Sequence, residues 1–266
     1  MRHVARKRFG QHFLVDDSVI ACTVAAIAPR PHDVMLEIGP GLGALTRALA
    51  GRVGQLLALE IDRDIVARLK AEFAPELVSV LEGDALAHDY AAHGPDLRVV
   101  GNLPYNISTP LLFWLAQFAA HIRDVHVMLQ KEVVERMVAT PSSPQYGRLS
   151  VMLQYRFEIE KLIDVPAQAF HPAPKVQSAF VRLLPLAVPV HPACDESSLA
   201  RVVAAAFGQR RKILRNTLRS FMAPEQLAAL GIDPGARAET LSVEQFVRIA
   251  NALAKDNGAR ALTSSG

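Results

Sequence analysis

Cysteine is scarce in this chain, and its scarcity excludes two classes of protein. The 266 residues include 2 cysteines, Cys22 and Cys194, which lie far apart in the sequence. Two cysteines cannot form the several disulfides that hold small secreted domains together. Neither belongs to a Cys/His cluster with the spacing of a zinc site, so we expect no bound metal and a mechanism that does not depend on one.

Long apolar stretches are also absent. No run approaches the roughly 20 residues that a membrane-spanning helix requires. Residues 1–8 are mostly basic, but Phe9 and Gly10 follow them where a signal peptide would have its apolar core. Hydrophobic residues make up 50% of the chain and charged residues 21%, which is typical of a soluble globular protein. We therefore expect a cytoplasmic protein without membrane contact.

Basic residues outnumber acidic residues only slightly. The net charge of +3 is too small by itself to indicate nucleic-acid binding. The basic residues are nevertheless concentrated in two clusters, each of which is either a solvated surface or a set of phosphate contacts. The first cluster contains Arg2, Arg6, Lys7 and Arg8, and the second contains Arg210, Arg211, Lys212, Arg215 and Arg219.

The first half of the chain alternates between β-rich runs and segments with helical spacing. This alternation predicts an α/β fold with a mostly parallel sheet, right-handed crossovers and helices on both faces. Ligands bind such sheets outside the carboxyl ends of the strands. The predicted strands are residues 34–38, 56–61, 77–81, 97–100 and 125–129.

The pattern changes after Lys131. Residues 132–139 have helical spacing, and residues 155–163 and 179–184 predict an antiparallel pair of strands at the sheet edge. A proline-rich linker follows, and the chain beyond it predicts only helices. We therefore expect two domains, residues 1–188 and residues 189–266.

A glycine-rich turn follows the first predicted strand, in the segment from Glu37 to Ala44 (EIGPGLGA). Its glycines permit a tight turn and a close approach of the backbone to a ligand. Glu60, 21 residues after Gly39, is placed to accept hydrogen bonds from ribose hydroxyls. These features suit either a dinucleotide or S-adenosylmethionine. The acidic Glu37 suits a cationic ligand, and Asp84 can accept from an adenine amino group, so both favour S-adenosylmethionine.

The four residues Asn102-Leu103-Pro104-Tyr105 end the fourth predicted strand, just before a helix start at Ser108. The Asn oxygen and nearby carbonyls can accept from the amino group of a flat base while the Tyr ring stacks on its face. This arrangement suits methyl transfer to an exocyclic nitrogen. An ordinary turn followed by a helix cap is the alternative interpretation.

These motifs together resemble those of the adenine-N6 methyltransferases of ribosomal RNA. Three further segments resemble the KsgA-type (RsmA-type) dimethyltransferases of the small subunit: an N-terminal donor motif in 7–14, a target-loop motif F-x-P-x-P-x-V-x-S in 170–178, and a signature in 207–216. The resemblance covers the chain from about residue 5 to residue 255. One departure is His12, where the family usually has Asn.

The resemblance implies a Rossmann-like methyltransferase domain that uses S-adenosylmethionine and a small all-α C-terminal domain that contacts RNA. It implies two methylations on N6 of each of two adjacent adenines near the 3′ end of 16S rRNA, within the pre-30S particle, and a role in small-subunit biogenesis. We expect a monomer without an obligate protein partner.

The resemblance also assigns roles to individual residues. The donor site is expected to contain Gln11, His12, Leu14, Gly39, Gly41, Glu60, Asp84, Ala85 and Asn102. The target adenine is expected to contact Asn102, Leu103, Pro104 and Tyr105, with Phe170 stacked on the other face of the flipped base. The RNA phosphates are expected to contact Arg6, Lys7, Arg8, Arg210, Arg211, Lys212 and Arg215.

Three other functions compete with this interpretation. An Erm-type enzyme acting on large-subunit RNA has the same fold, but the segment 210–216 and the long helical tail argue against it. A non-catalytic ribosome-assembly factor predicts loss of the Asn102–Tyr105 motif, which is intact. A nicotinamide oxidoreductase would need a pair of residues that handles hydride, and no such pair is placed convincingly.

Overall fold

The computed structural model describes residues 12–209 and 211–263. Contacts within the chain define two compact units. The first contains the residues up to Val134 together with Phe157–Ala187, and the second contains Glu135–Arg156 and the residues from Val188 onward. The prediction of one boundary at residue 188 therefore differs from the structure. The segment Glu135–Arg156 groups with the second unit because Tyr146, Val151 and Tyr155 pack into its apolar core.

A seven-stranded sheet forms the first unit, in the order β4-β3-β2-β5-β6-β9-β7. The five strands from β4 to β6 are parallel, and β9 and β7 add antiparallel pairing at one side, which confirms the predicted α/β class and the antiparallel pair. The strands are β2 (Val34–Ile38), β3 (Gln55–Glu60), β4 (Ser79–Glu82), β5 (Leu97–Asn102), β6 (Ile122–Gln130), β7 (Phe157–Val165) and β9 (Ser178–Pro185). Two short strands, β1 (Phe13–Leu14) and β8 (Phe170–His171), pair separately.

Four helices connect the strands of the first unit. They are α1 (Asp17–Ile27), α2 (Ala44–Leu49), α3 (Arg63–Glu72) and α4 (Ser108–Gln117). The side chain of Asp16 accepts from the backbone N–H groups of Ser18 and Val19 and so caps α1, and Asp62 caps α3 in the same way. Helix α1 buries Val24 and Ile27 in an apolar core that also contains Leu45 and Leu49 of α2.

The remaining helices belong to the second unit, apart from α5, which begins in the first. They are α5 (Lys131–Met137), α6 (Arg148–Gln154), α7 (Glu196–Phe207), α8 (Leu214–Thr217), α9 (Pro224–Ala229) and α10 (Val243–Thr263). Their core includes Leu199 and Val202 of α7 and Phe246 of α10. The helical character predicted for the chain after the linker is confirmed. Among the described residues, no helix has both the length and the apolarity to span a membrane.

The strand order reverses at β2 and β5. The chain proceeds from β2 outward through β3 and β4, then returns to add β5 and β6 on the other side. Parallel sheets bind ligands at such a reversal, outside the carboxyl ends of the strands. The two strands lie unusually close there, since a Cβ atom at Gly101 would be 2.4 Å from the carbonyl oxygen of Ile38. Only glycine fits at position 101.

A buried ion-pair network lies at the opposite, amino-terminal edge of these strands. The guanidinium of Arg98 on β5 bonds Asp124 on β6 at 3.0 Å and Asp33, just before β2, at 2.6 Å. It also donates to the carbonyl oxygens of Ile27 and Ala28 at the C-terminal end of α1. One side chain thus fixes α1 to three neighbouring segments of the sheet.

Candidate active site

A cavity opens at the carboxyl ends of β2 to β5. It brings together most of the residues that the sequence predicted, although they come from four different strand ends and from the N-terminal segment. The predicted residues that line it are His12, Leu14, Gly39, Gly41, Glu60, Asp84, Ala85, Asn102, Leu103, Pro104 and Tyr105. This convergence follows from the parallel sheet, because all its carboxyl ends lie at one edge.

The glycine-rich turn between β2 and α2 forms one wall. Gly39 and Gly41 have φ angles of +66° and +55°, in the left-handed region that favours glycine. A Cβ atom at Gly41 would also come within 2.9 Å of the Phe13 ring. The bare backbone at Gly41 therefore lets the Phe13 ring pack directly against the turn.

Glu37, at the start of this turn, is a buried acid, and no cationic side chain among the described residues forms an ion pair with it. Its Oε2 accepts from the hydroxyl of Thr46 at 2.6 Å, and the residue is 2% exposed. Burial raises the pKa of Glu37 to about 7. A positively charged ligand in the cavity would favour the ionised form.

Glu60 ends β3 with its carboxylate held by the backbone. Its Oε1 accepts from the N–H groups of Ile61 and Asp62, both at 2.9 Å. Burial raises the pKa of Glu60, while these backbone bonds act in the opposite direction. The fixed carboxylate is well placed to accept hydrogen bonds from ribose hydroxyls.

Asp84 follows β4 and has an exposed carboxylate that accepts from the N–H of Leu86 at 2.9 Å. The next residue, Ala85, is held by the Tyr90 hydroxyl, which donates to its carbonyl oxygen at 3.0 Å. Two apolar side chains near these acids also line the cavity, Leu86 and the 48% exposed Ile61. The sequence-based prediction contained neither of them, although an apolar residue one or two positions after each acid was the available signal.

Asn102 ends β5 and faces the same cavity. Its Nδ2 donates to the backbone oxygen of His12 at 2.8 Å, which fixes the orientation of the amide. Within the part of the chain that the structure describes, no group donates to the Asn102 Oδ1, so this acceptor is available to an amino group. The N–H of Leu103 donates to the Met128 carbonyl at 3.1 Å and extends the β5–β6 pairing by one residue.

Tyr105 contacts both the N-terminal donor motif, through His12, and the target-loop motif, through Ser178. Its hydroxyl lies 2.6 Å from the Oγ of Ser178, the last residue of the target-loop motif, and burial raises the pKa of Tyr105. The His12 ring is stacked with the Tyr105 ring, with centroids 5.6 Å apart and an interplanar angle of 27°. His12 also donates from Nδ1 to the carbonyl of Pro172 at 2.7 Å. Sequence analysis assigned no partner to the imidazole, and the structure supplies two.

The structure places two of the predicted acceptor-site residues in contacts within the protein. Phe170 is 3% exposed and belongs to the apolar core with Phe13 and Leu14, so in this structure its ring is not part of the cavity wall. Phe170 is buried because it pairs with Leu14 in the two-stranded β1–β8 sheet. The Pro104 carbonyl accepts from the N–H of Ile107 at 3.2 Å and closes a turn, which leaves one of its two lone pairs for a further donor.

The predicted RNA contacts are described only in part. Arg211, Lys212 and Arg215 are exposed residues of the second unit, and no carboxylate among the described residues forms an ion pair with them. Lys212 lines a concave surface with Gln209, Asn216 and Arg219. The predicted residues that lie outside the described ranges are Arg6, Lys7, Arg8, Gln11 and Arg210.

The cavity is better suited to S-adenosylmethionine than to a dinucleotide. Acceptors at Glu60 and Asp84 match the hydroxyls and amino group of an adenosine, and the buried Glu37 matches a cation. No Lys or Arg appears among the described residues that line the cavity, so the pyrophosphate of a dinucleotide would have no cationic side chain beside it. The described residues also contain no group of three or more potential metal ligands.

Comparisons with known proteins agree with this chemistry. The family model "Ribosomal RNA adenine dimethylase" matches residues 2–255. A protein of Thiobacillus denitrificans named ribosomal RNA small subunit methyltransferase A is 59% identical over 252 residues, which are 95% of this chain and 99% of the relative. A protein of the same name from Nitrosospira multiformis is also 59% identical, over 94% of this chain and 97% of its own length.

Solved structures share the fold. A dimethyladenosine transferase from Plasmodium falciparum superposes with a TM-score of 0.76 at 23% identity, over 92% of this chain and 98% of that chain. The 23S rRNA methyltransferase ErmE superposes with a TM-score of 0.70 at 28% identity, over 91% of this chain and 99% of that chain.

Proposed function

The chain belongs to the ribosomal RNA adenine dimethylase family, and from this premise we propose the complete reaction. The enzyme transfers methyl groups from S-adenosylmethionine to N6 of two adjacent adenines near the 3′ end of 16S rRNA. The product is N6,N6-dimethyladenosine. The relatives that are 53–59% identical are named for the small subunit, whereas ErmE, named for 23S rRNA, is 28% identical. The large-subunit alternative is therefore not favoured.

The observation that carries this proposal is the position of Asn102 to Tyr105. The motif lies at the edge of the cavity whose other strand ends present Glu60 and Asp84. A donor held by these acids and an adenine held by Asn102 would therefore occupy one continuous space. Substrate and donor that are held together in this way react as if they were one molecule, which is a large part of catalysis.

The chemistry requires orientation more than proton abstraction. When bound, S-adenosylmethionine would supply an electrophilic methyl group: the N6–C bond would form as the S–C bond breaks, sulfur would keep the electron pair, and N6 would release a proton to water. The free Oδ1 of Asn102 accepts from the N6 amino group and favours a pyramidal nitrogen with its lone pair directed at the methyl. The Tyr105 ring supports the face of the adenine and attracts the positive charge that develops on it. Glu37 faces the positive charge of the donor.

The second unit is the proposed RNA-contacting part of the enzyme. Arg211, Lys212 and Arg215 carry charge that no described carboxylate neutralises, as expected of residues that contact phosphates. We propose that the substrate is the rRNA within the pre-30S particle, that a monomer acts in the cytoplasm, and that methylation takes part in small-subunit biogenesis.

Labelled S-adenosylmethionine tests this function when unmethylated small subunits, large subunits and naked 16S rRNA are offered separately. We expect label on the small subunits, recovered at two neighbouring adenines. Label on large subunits alone would assign the enzyme to the Erm-type reaction. Tight binding to small subunits without any transfer would support a non-catalytic assembly factor.

A further inference from the structure

Thr23 is a buried polar residue whose hydroxyl the fold leaves unsatisfied. It lies in α1, is 1% exposed, and its Oγ1 has no hydrogen-bond partner among the described residues. A threonine inside a helix can donate to the carbonyl one turn earlier, but Thr23 does not do so. Buried hydroxyls in native proteins are usually paired, so this exception requires an explanation.

The position of Thr23 supplies that explanation, because Thr23 lines the cavity of the active site. The other buried residues of α1, Val24 and Ile27, are apolar and pack in the core with Leu45 and Leu49 of α2. Valine, with the same shape, would serve at position 23 if packing were the only requirement. The hydroxyl is therefore in excess of what the fold needs.

The helix that carries Thr23 is held at both ends. The C-terminal end of α1 is fixed by Arg98, which donates to the carbonyl oxygens of Ile27 and Ala28, and its N-terminal end is capped by Asp16. A residue in a helix held at both ends keeps its backbone position when a ligand binds, and rotation about χ1 can turn its buried hydroxyl toward the cavity. Such rigid support is what a ligand-binding side chain requires.

The rest of the cavity indicates which part of the ligand is near Thr23. The nucleoside of the donor is assigned to Glu60 and Asp84, and the reacting methyl to the region of Asn102. The polar group that remains is the amino-acid end, with an ammonium and a carboxylate. A threonine hydroxyl can accept from the first or donate to the second. Glu37, the other buried polar residue at the glycine-rich turn, offers only acceptor atoms when it is ionised.

We propose that the Thr23 hydroxyl hydrogen-bonds the amino-acid end of S-adenosylmethionine and that Thr23 is a donor-binding residue. This inference rests on the proposed function only for the identity of the donor, since RNA takes no part in it. The hydroxyl, which has no partner among the described residues, would gain one when the donor binds.

Binding measurements on three ligands test this proposal without RNA. The ligands are S-adenosylmethionine, S-adenosylhomocysteine and 5′-methylthioadenosine, of which only the last lacks the amino-acid end. Isothermal titration is carried out on the full chain and on Thr23→Val, which removes the hydroxyl and keeps the shape. We expect Kd for the first two ligands to rise about tenfold, as for one hydrogen bond to a charged group, and Kd for 5′-methylthioadenosine to stay unchanged.

Thr23→Ser is the matched control, because it keeps the hydroxyl and should retain the wild-type preference for the ligands with an amino-acid end. Thr23→Ala is the second variant if the valine disturbs folding. The free Thr23→Val protein should melt no lower than the wild type, since no hydrogen bond is lost. Equal affinity of wild type and Thr23→Val for S-adenosylmethionine would overturn the proposal, as would equal weakening of all three ligands. Absence of methyl transfer to rRNA would refute the proposed function but would not change the interpretation of these binding results.

Discussion

Tyr105 shows how a single side chain joins distant parts of the sequence in the active site. Its ring is stacked with His12, and its hydroxyl is bonded to Ser178, 73 residues further along the chain. Ser178 is fully buried in β9 and fixes the hydroxyl end of the ring axis, while the stacked His12 restrains the plane of the ring. The ring that we propose to support the target adenine is thus oriented before RNA binds.

Substitutions that remove either the hydroxyl or the whole ring of Tyr105 test this role. Tyr105→Phe keeps the ring and loses the bond to Ser178, so we expect kcat/KM for methyl transfer to fall about two- to tenfold, the value of one hydrogen bond. Tyr105→Ala removes the ring and should cost at least a hundredfold. Ser178→Ala should match Tyr105→Phe, and the double variant should be no worse than either single one. Additive losses in the double variant would contradict the coupling.

Glu37 predicts a pH dependence of donor binding. Its pKa is raised from 4.5 to about 7 in the folded protein, so folding favours the protonated form. Its contribution to stability is therefore complete below pH 4.5 and is lost as the pH rises through 7. A cationic donor needs the ionised form, so binding below pH 7 must release a proton.

We expect the Kd for S-adenosylmethionine to fall as the pH rises from 6 to 8 and then to level off. Titration calorimetry in buffers of different ionisation enthalpy should detect proton release at pH 6. Glu37→Gln should bind more weakly at pH 8 and show a flatter profile. An unchanged profile in this variant would assign the pH dependence to another group.

At the scale of elements, regular periodicity and strand ends were predictable, whereas pairings between distant short segments were not. The strands and the glycine-rich turn follow from local patterns. The two-residue strands β1 and β8 exist only because Phe13 and Leu14 meet His171 and Phe170, which are more than 150 positions away. No local pattern indicates such a pairing, and for that reason Phe170 was predicted as a stacking residue rather than a core residue.

Helix α1 was not predicted from the sequence, because its residues show little amphipathic pattern and its position depends on Arg98.

Arg98→Met leaves the buried carboxylates of Asp33 and Asp124 without this partner, so we expect the free energy of unfolding to fall by about 3–5 kcal/mol. Chemical denaturation measures the change. The control is Arg63→Met, which breaks an exposed pair with Glu82 and should cost less than about 1 kcal/mol. Equal losses in the two variants would contradict the structural role of Arg98.

At the scale of the whole molecule, we propose that the two units divide the work between chemistry and RNA binding. The first unit contains the cavity, and the second presents the exposed residues Arg211, Lys212 and Arg215. The sequence predicted the basic cluster and the helical character of the second unit. It did not predict that Glu135–Arg156 would join that unit, because the packing of Tyr146 and Tyr155 against α7 and α10 is visible only in three dimensions.

Reversing one charge of the cluster tests this division. We expect Arg211→Glu to weaken binding to small subunits, to lower the salt dependence by about one counterion, and to leave the Kd for S-adenosylmethionine unchanged. Arg52→Glu changes the net charge equally on an exposed turn of the first unit and is the matched control. Unchanged affinity of Arg211→Glu for the particle would show that the cluster is a solvated surface and does not contact phosphates.

The most direct test of adenine-N6 methyl transfer at this cavity is nucleoside analysis of small-subunit rRNA after incubation with S-adenosylmethionine. Wild-type enzyme should convert two neighbouring adenines to N6,N6-dimethyladenosine, measured by mass spectrometry of the digested rRNA. Asn102→Ala should remove most of this product while still binding the donor, with reduced affinity. Equal yields of dimethyladenosine from wild type and Asn102→Ala would contradict the assignment of the acceptor site.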